Sequence, residues 1–355
     1  MEYGSFTTED NMTKSYQNTQ LPFEEGQLSE TAFFNDVLDL FMGFRSGHVS
    51  KYIYEAPEDS LSERTDEKVL WGAIIEEGQT PYYLPKADNE LLCRARQDLV
   101  GLVPSSTPVV DFGVGDIESF VKHALPVLKA LKSDYYVGID FCEAYLERIQ
   151  KRYNADQKIK IVTVCDDFFE PQIKTVTPVP ALGLMTCSTI GNIHGTLHDS
   201  HYDANLSRAL RILARLTNHG WLLASLDTNQ DAARLYQGYQ TELLARLFLT
   251  VFRRIPVELG SIGFDPSLFV YEPEWHPELQ LFAHMARATA AQDFRLGDYR
   301  LHIAKGQKFH LLNSYKFEAS FFEACCDKAG LAVQQVWHHE TPMKLYLLKD
   351  KACRL

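Results

Sequence analysis

The sequence contains no long apolar run, no cluster of lysine and arginine, and no basic-then-apolar leader. No segment approaches the roughly 20 apolar residues that a membrane-spanning helix needs, and residues 1–20 are polar. The net charge of −12, without basic clusters, argues against nucleic acid as the main partner. We therefore expect a cytoplasmic, soluble and monomeric protein that acts on a small molecule and binds neither membrane nor nucleic acid.

Paired cysteines and common catalytic motifs are also missing. The seven cysteines are scattered and never form a C-x-x-C pair, so we expect reduced thiols. No G-x-S-x-G, H-E-x-x-H or Walker motif is present. His194, His198 and His201 have the spacing that a metal site needs, but no fourth ligand can be identified. We therefore predict no metal site.

The most informative segment is 109–115, Val-Val-Asp-Phe-Gly-Val-Gly, which is typical of a buried strand that leads into a glycine turn and a helix. Gly113 and Gly115 allow the backbone to approach a ligand closely. Asp111 places a negative charge beneath the turn, which disfavours a pyrophosphate and suits a cation such as S-adenosylmethionine. The third glycine of the NAD fingerprint is replaced by Glu118, which also argues against a pyrophosphate.

The carboxyl ends of the next predicted strands carry further polar residues. Asp140 follows the second strand, where a carboxylate can accept both ribose hydroxyls of an adenosine. Asp167 and Phe168 follow the third strand, where they can pair with the adenine amino group and cover the ring. Cys187 and Ser188 follow the fourth strand and would border the same crevice. The pattern predicts an S-adenosylmethionine site, with a nicotinamide-dependent oxidoreductase as the alternative.

The order of predicted elements indicates the fold class. Strands and amphipathic helices alternate over 107–227, which predicts a parallel sheet, and a strand pair near the end of the chain completes it. The intervening insertion contains a helical run over 231–254 and strand segments at 279–286 and 299–308 that look antiparallel. We therefore predict an α/β protein with a seven-stranded, Rossmann-like sheet and an inserted α+β lobe.

Two short segments connect this chain to a known family. The sequence Ser-Thr-Ile-Gly-Asn at 188–192, together with Asn-Ser-Tyr-Lys-Phe at 313–317, resembles the histidine-specific Nα-methyltransferases of ergothioneine biosynthesis and their relatives. Tyr-Ile-Tyr at 52–54 and Pro-Tyr-Tyr at 81–83 add to the likeness, which runs from about Lys51 to the end. The resemblance implies a class I methyltransferase core that binds S-adenosylmethionine and a second lobe that binds an amino acid.

The composition and the order of elements also predict a division into domains. We expect a flexible leader at 1–25, a substrate-binding lobe formed by 26–90 and 228–316, and an S-adenosylmethionine-binding core formed by 91–227 and 317–355. The predicted cofactor-binding residues all lie in that core: Asp111, Gly113, Gly115, Asp140, Asp167, Phe168, Cys187 and Ser188.

By the same resemblance, three residues hold the carboxylate and the amine of the substrate. Asn192 would hold the substrate carboxylate, helped by Tyr239 from the helix after the fifth strand, with Tyr236 as the alternative. Tyr54 would lie near the amine. An amide and phenolic hydroxyls can bind a carboxylate without placing a full positive charge near a sulfonium. Methyl transfer mainly needs a neutral amine held in line with the methyl carbon, so we expect catalysis by positioning.

The chain departs from the family at the pocket for the substrate side chain. Tyr83 and Ser314 would lie near that side chain. In histidine-specific members an acidic residue two places before the serine contacts the imidazole, but this position is Leu312 here. A family methionine falls on Phe282. Both changes make the pocket more apolar, so we expect an amino acid with an apolar or aromatic side chain, tryptophan-like in the first instance.

Two alternatives remain open at this stage. If Asn313 reads the imidazole instead, the protein is a histidine Nα-methyltransferase of ergothioneine biosynthesis. The protein could also be a catalytically silent relative that binds S-adenosylmethionine as a sensor or scaffold. The number of methyl groups added is not determined by these patterns.

Overall fold

The structure of the protein is a computed structural model, and it describes residues 32–54, 74, 81–115, 117–153, 159–197 and 201–353. The predicted leader at 1–25 and His198 lie outside these ranges. Within the described ranges, no helix combines the length and the apolar character needed to cross a membrane.

The strands are β1 (Val109–Phe112), β2 (Tyr135–Asp140), β3 (Lys160–Cys165), β4 (Leu182–Met185), β5 (Trp221–Asp227), β6 (Phe269–Tyr271), β7 (Glu274–His276), β8 (Leu281–Ala288), β9 (Gln292–Leu296), β10 (Tyr299–Ile303), β11 (Lys308–Tyr315), β12 (Leu331–His338) and β13 (Met343–Asp350). The α-helices are α1 (Ala32–Met42), α2 (Ser50–Tyr54), α3 (Leu84–Leu102), α4 (Ile117–Ser119), α5 (Leu125–Leu131), α6 (Glu143–Tyr153), α7 (Tyr202–Leu216), α8 (Ala232–Tyr239), α9 (Glu242–Phe248), α10 (Thr250–Glu258) and α11 (Ala319–Lys328).

Seven strands form one mixed sheet in the order β12-β13-β5-β4-β1-β2-β3. The strands β1 to β5 are parallel, whereas β13 is antiparallel to both β5 and β12. The strands β1, β4 and β5 are buried along their whole length, because helices cover both faces of a parallel sheet and leave no polar side. The predicted α/β fold with a seven-stranded sheet is confirmed, and this is the architecture of class I methyltransferases.

The insertion after β5 folds differently in detail from the sequence expectation. The predicted helical run over 231–254 is three helices, because Asp231 and Thr241 each accept backbone N–H groups and begin a new helix. The strands β8 and β10 do not pair with each other: β8 pairs with β11, and β10 pairs with β9. The antiparallel strands predicted for the insertion are therefore confirmed, with partners that the sequence pattern did not identify. The lobe boundaries stay a prediction.

One helix contains an irregular turn that later positions a functional side chain. Between α4 and α5, residues Phe120–Ala124 form a π-helical turn, and the N–H of Leu125 donates to the carbonyl of Phe120. Pro126 lies at the start of α5, and a regular α-helix would bring its ring against the carbonyl four residues earlier. The wider turn avoids that clash. It interrupts the single helix that the apolar periodicity predicts for 116–132.

Candidate active site

A cavity of about 250 Å³ lies at the carboxyl ends of the core strands and reaches the lobe that contains β8 and β11. Ligands of doubly wound sheets bind at this edge. The residues predicted from the sequence that line the cavity are Tyr54, Gly113, Gly115, Asp140, Asp167, Phe168, Cys187, Asn192, Tyr239, Leu312 and Ser314. The predicted residues that do not line it are Tyr83, Asp111, Ser188, Phe282 and Asn313.

The glycine turn after β1 forms one end of the cavity. Gly113 and Gly115 have φ angles of 78° and 62°, in the left-handed region that side chains other than glycine rarely adopt. The N–H of Gly115 donates to Asp140 Oδ2 at 3.1 Å, and the N–H of Cys142 donates to Asp140 Oδ1 at 2.8 Å. These bonds fix the position of the Asp140 carboxylate, which lines the cavity.

Asp111 lies beneath the turn rather than at the cavity surface. Its carboxylate accepts the hydroxyl of Tyr136 at 2.9 Å, and the residue is 3% exposed. Burial raises the pKa of Asp111 to about 7, and the nearby Asp140 charge acts in the same direction. At neutral pH the carboxyl group is therefore half protonated in the absence of a neighbouring cation.

The adenine side of the predicted site is held by a pair that the sequence interpretation missed. His194 Nε2 lies 3.1 Å from Asp167 Oδ2, and the N–H of Phe169 donates to Asp167 Oδ1 at 2.8 Å. Burial alone would raise the pKa of Asp167, but the hydrogen bond and charge of His194 bring it below its usual range. Phe168 packs on Phe112 with ring centroids 5.9 Å apart.

The turn after β4 approaches the lobe very closely. A Cβ atom on Gly191 would lie 2.5 Å from the carbonyl oxygen of Tyr315, so only glycine fits there. This contact places Asn192, the next residue, at the cavity wall. Ser188 serves the same turn from within, because its hydroxyl accepts the N–H of Asp227 at 3.0 Å and its N–H donates to the hydroxyl of Ser225.

A buried charge that sequence reasoning also missed lies behind the opposite end of the cavity, where Tyr239 and Ser314 form the lining. Lys316 Nζ lies 3.0 Å from Asp227 Oδ2 and donates to the Tyr239 hydroxyl at 2.6 Å and to Ser314 Oγ at 3.0 Å. Burial opposes the charged ammonium, but the carboxylate of Asp227 outweighs it and the pKa of Lys316 is raised. The sequence contained a signal for the position of Lys316. Leu312, Ser314 and Lys316 are spaced two residues apart, so an extended segment places them on the same face.

Tyr83 supports this charged pair instead of facing the cavity. Its hydroxyl lies 2.8 and 2.9 Å from the two carboxylate oxygens of Asp227, and it accepts the side-chain amide of Asn229 at 3.0 Å. The preceding residue, Tyr82, lines the cavity, with its ring 5.0 Å from that of Tyr239.

Tyr239 and Tyr236, the two tyrosines of α8 considered for the substrate carboxylate, occupy different environments. Tyr239 lines the cavity, whereas the hydroxyl of Tyr236 accepts the backbone N–H of Trp275 at 3.1 Å. Phe282 lies behind Tyr239, with ring centroids 4.8 Å apart, and is fully buried. It therefore shapes the position of Tyr239 from outside the cavity lining.

Leu312 and its neighbours form the wall at the lobe end. Leu312 pairs with His284 across β11 and β8, and both line the cavity. His284 stacks on Phe248 with centroids 4.0 Å apart, and its Nδ1 lies 2.7 Å from the hydroxyl of Tyr271. Burial and the nearby Lys316 charge bring the pKa of His284 well below its usual value, so the ring is neutral.

Asn313 points to the other side of the strand, as strand alternation requires. Its amide nitrogen donates to the carbonyls of Ile193 and Gly195, each at 3.0 Å. These bonds tie β11 to the segment after the β4 turn. The side chain of Asn313 is occupied by the backbone, away from the cavity lining.

A family model described as "Histidine-specific methyltransferase, SAM-dependent" matches residues 65–350. The chain belongs to this family. It is therefore an S-adenosylmethionine-dependent methyltransferase, which confirms the cofactor predicted from the glycine turn and the strand-end acids and sets the nicotinamide alternative aside.

Similar proteins span most of the chain. It is 25% identical over 248 residues to y4iF, an uncharacterized protein of Sinorhizobium fredii, covering 68% of this chain and 80% of the relative. It is 18% identical over 264 residues to N-methyltransferase imqF of Aspergillus flavus, covering 73% and 72%. Among solved structures, S-adenosylmethionine-bound CalS10, an amino pentose methyltransferase from Micromonospora echinaspora, is similar with a TM-score of 0.40 at 12% identity, covering 81% and 99%.

The residues at the glycine-turn end of this methyltransferase fit its cofactor. The left-handed turn leaves close access to the backbone at Gly113 and Gly115, and the carboxylates of Asp140 and Asp167 line the same wall. Phe168 offers a ring beside them. When bound, S-adenosylmethionine supplies an electrophilic methyl group; the protein must supply the site that orients the acceptor.

The tyrosine hydroxyls at the lobe end of the cavity, where the methyl acceptor would bind, are very weak acids in this environment. Burial raises the pKa of Tyr54 and of Tyr82, and the neighbouring Tyr239 oxygen acts in the same direction. These phenols are neutral at physiological pH, so they can donate hydrogen bonds but cannot act as phenolate bases. The arrangement is suited to catalysis by orientation and desolvation.

Proposed function

We propose that this methyltransferase transfers a methyl group to the α-amino group of an amino acid, or an amino-acid derivative, with an apolar or aromatic, tryptophan-like side chain. The observation that carries the proposal is the pair of hydroxyls of Tyr239 and Ser314 in the cavity wall, which Lys316 holds from behind. Leu312 lines the same wall. The Aspergillus flavus relative is named as an N-methyltransferase, which supports nitrogen as the acceptor atom.

The cluster is suited to a carboxylate. Because the ammonium of Lys316 donates to the oxygen of Tyr239, the phenolic proton is left to point toward Ser314 or into the cavity. Asn192 adds an amide at the cavity wall. The positive charge of Lys316 is balanced by Asp227, so the carboxylate is bound by polarised neutral donors with no net positive charge facing the sulfonium.

The amine would react in its neutral form. Its proton is lost to solvent before the transfer, and the phenolic oxygens of Tyr54 and Tyr82 can accept the amine N–H groups, which leaves the lone pair free. Gly113, Gly115 and Asp140 would hold the cofactor, which would supply its methyl group to that lone pair as its carbon–sulfur bond breaks. The role of the protein is to keep the carboxylate end fixed, so that the amine and the methyl group stay aligned.

The wall around the substrate side chain supports an apolar or aromatic group. Leu312 and Phe248 are apolar, and Tyr82 presents an aromatic ring beside Tyr239. An imidazole would lose the carboxylate partner that histidine-specific members supply at the position of Leu312. An unpaired buried nitrogen costs about 1–3 kcal/mol, which corresponds to roughly 5- to 150-fold in discrimination.

Histidine is the second candidate, and one observation favours it. His284 lines the cavity, and its ring is neutral. Among the described residues, Nδ1 of this ring has a hydrogen-bond partner, the Tyr271 hydroxyl, and Nε2 has none. From β8, opposite Leu312, the Nε2 atom of His284 could therefore pair with the imidazole of a bound histidine. Both candidates share the same amine chemistry and differ only in the side chain they bind.

The test is a screen of purified protein with S-adenosylmethionine and individual common amino acids and tryptophan derivatives, read by mass spectrometry for gains in methyl units. We expect gains on aromatic amino acids, located on the α-nitrogen by fragmentation. A gain on histidine alone would favour the second candidate. Cofactor binding with no gain on any amine would indicate a silent binding protein and contradict the proposal.

A further inference from the structure

Three side chains of metal-ligating type meet beside the cavity, and the methyl-transfer proposal uses none of them. They are Asp88 on α3, His123 in the π-helical turn and Cys187 after β4, and their ligand atoms all lie within 4.8 Å of one another. They come from three separate elements. His123 and Cys187 also line the cavity.

The cluster is buried and its polar atoms are not satisfied within the described part of the chain. Asp88 is 0% exposed; the Ser225 hydroxyl and the N–H of Cys187 lie near its carboxylate, but neither oxygen has a partner at hydrogen-bond geometry. His123 Nε2 also has none and lies 3.9 Å from Asp88 Oδ2. Buried polar groups are normally paired, so an unpaired carboxylate facing an unpaired imidazole nitrogen points to a missing ligand.

The local backbone aims these atoms at one point. Thr186 Oγ1 lies 3.4 Å from His123 Nδ1, which orients the ring with Nε2 toward Asp88. Cys187 has a left-handed φ of 52°, an uncommon conformation for a residue other than glycine or asparagine. The π-helical turn sets the position of His123 on its helix, and such turns are frequent at functional sites.

We propose that Asp88, His123 and Cys187 bind a Zn²⁺ ion. A thiolate, an imidazole and a carboxylate form a donor set that suits this borderline-soft cation. Three protein ligands leave one tetrahedral position open, and two of the three, His123 and Cys187, line the cavity. Tetrahedral zinc needs ligand atoms roughly 3.5 Å apart, so the cluster would contract by about 1 Å on binding.

Binding of Zn²⁺ would require Asp88 and Cys187 to lose their protons. Burial raises the pKa of Asp88 to about 6, despite the nearby Ser225 hydroxyl, and raises that of the Cys187 thiol. Burial lowers the pKa of His123 to about 4, so its ring is already neutral. On binding, the thiol proton and any remaining carboxyl proton leave to solvent, and the two anions neutralise Zn²⁺. Thr186 would accept the Nδ1 proton of the bound imidazole.

The experiment uses the full chain, treated with a chelator and dialysed, and titrated with Zn²⁺ against a chromophoric competitor. We expect one ion per chain, and Co²⁺ in its place should produce a thiolate-to-metal absorption band. Cys187→Ser, His123→Gln and Asp88→Asn should each weaken Zn²⁺ binding by at least about tenfold. Cys325→Ser, which removes a buried thiol on α11, is the control and should bind as the unmodified protein does.

Each readout is independent of methyl transfer, so its failure would leave the proposed function intact. Absence of saturable Zn²⁺ binding to the unmodified chain would overturn the proposal, as would binding that survives all three substitutions. If a substitution prevents folding, the cobalt band of the unmodified protein still decides, because only a bound thiolate produces it. No band on Co²⁺ saturation would count against Cys187 as a ligand.

Discussion

The ammonium of Lys316 lies 3.0 Å from the carboxylate of Asp227, and both side chains are fully buried. Asp227 ends strand β5 of the core sheet, and Lys316 directly follows β11 of the inserted sheet. The pair therefore joins the two sheets behind Tyr239 and Ser314, which line the active-site cavity. Since Tyr83 donates to the same carboxylate, three distant segments of the chain meet at one buried charge.

Lys316→Met should destabilise the fold strongly. Removing one partner of a buried ion pair leaves the other charge uncompensated, which costs about 3–5 kcal/mol. The free energy of unfolding in urea measures this, with Lys305→Met in an exposed turn as the control. The double variant Lys316→Met/Asp227→Asn should recover part of the loss. A single variant within about 1 kcal/mol of the unmodified protein would contradict the role assigned to the pair.

Tyr239→Phe should lower kcat/KM by roughly 10- to 100-fold, because it removes a hydroxyl that the proposal assigns to the substrate carboxylate. Tyr236→Phe is the matched control on the same helix, since its hydroxyl accepts a backbone N–H away from the cavity. Steady-state kinetics of both variants with the same amino acid give the answer. Equal losses in the two variants would mean that the effect is structural.

Asp111→Asn should change how stability depends on pH. The folded pKa of about 7 lies above the ordinary aspartate value of about 3.9, so the folded state holds the proton more tightly. The contribution of the Asp111 carboxyl group to the free energy of unfolding is therefore fully present below about pH 4. It falls as the pH rises to about 7 and stays constant above that pH.

We expect the unmodified protein to lose stability relative to Asp111→Asn between pH 4 and 7, by about 3 kcal/mol at most. Thermal unfolding across this range, without cofactor, measures the difference, and Asp134→Asn at an exposed position is the control. Parallel curves for Asp111→Asn and the unmodified protein would show that this carboxyl group has an ordinary pKa.

Leu312→Glu should shift selectivity toward histidine. The substitution restores an acceptor at the position where histidine-specific members contact the imidazole, and a satisfied polar ring gains about 1–3 kcal/mol over an unsatisfied one. The ratio of kcat/KM for histidine to that for tryptophan should rise at least about tenfold. Val270→Glu on the lobe surface adds the same charge outside the cavity and should leave the ratio unchanged.

Much of the cofactor end could be predicted from the sequence. Parallel strands all end at one edge, so acids that follow successive strands converge, and Asp140 and Asp167 needed no knowledge of distant contacts. The residues at the end of the cavity that would hold the methyl acceptor were harder to predict. Their positions depend on which strands pair and on which face of its strand each side chain occupies. Tyr83 was chosen where Tyr82 faces the cavity, and the facing of Asn313 follows from strand alternation once Leu312 is placed.

The remaining residues depend on contacts that no local pattern reveals. His284 faces Leu312 only through the register of β8 and β11. His123 reaches Asp88 and Cys187 through a π-helical turn, whereas apolar periodicity predicts an unbroken helix. Strand alternation places Lys316 on the face of Ser314, but its burial as an ion pair depends on Asp227 beside it. Each of these depends on tertiary structure rather than on local preference.

The measurement that tests the central claim most directly is kcat/KM of the unmodified enzyme for tryptophan and for histidine, with ¹³C-methyl S-adenosylmethionine to locate the transferred group. The account predicts a labelled methyl on the α-nitrogen and a preference for tryptophan of at least about tenfold, because Leu312 leaves an imidazole unpaired. A preference for histidine would contradict the assignment of the side-chain pocket, and a label on any other atom would contradict the proposed placement of the amine.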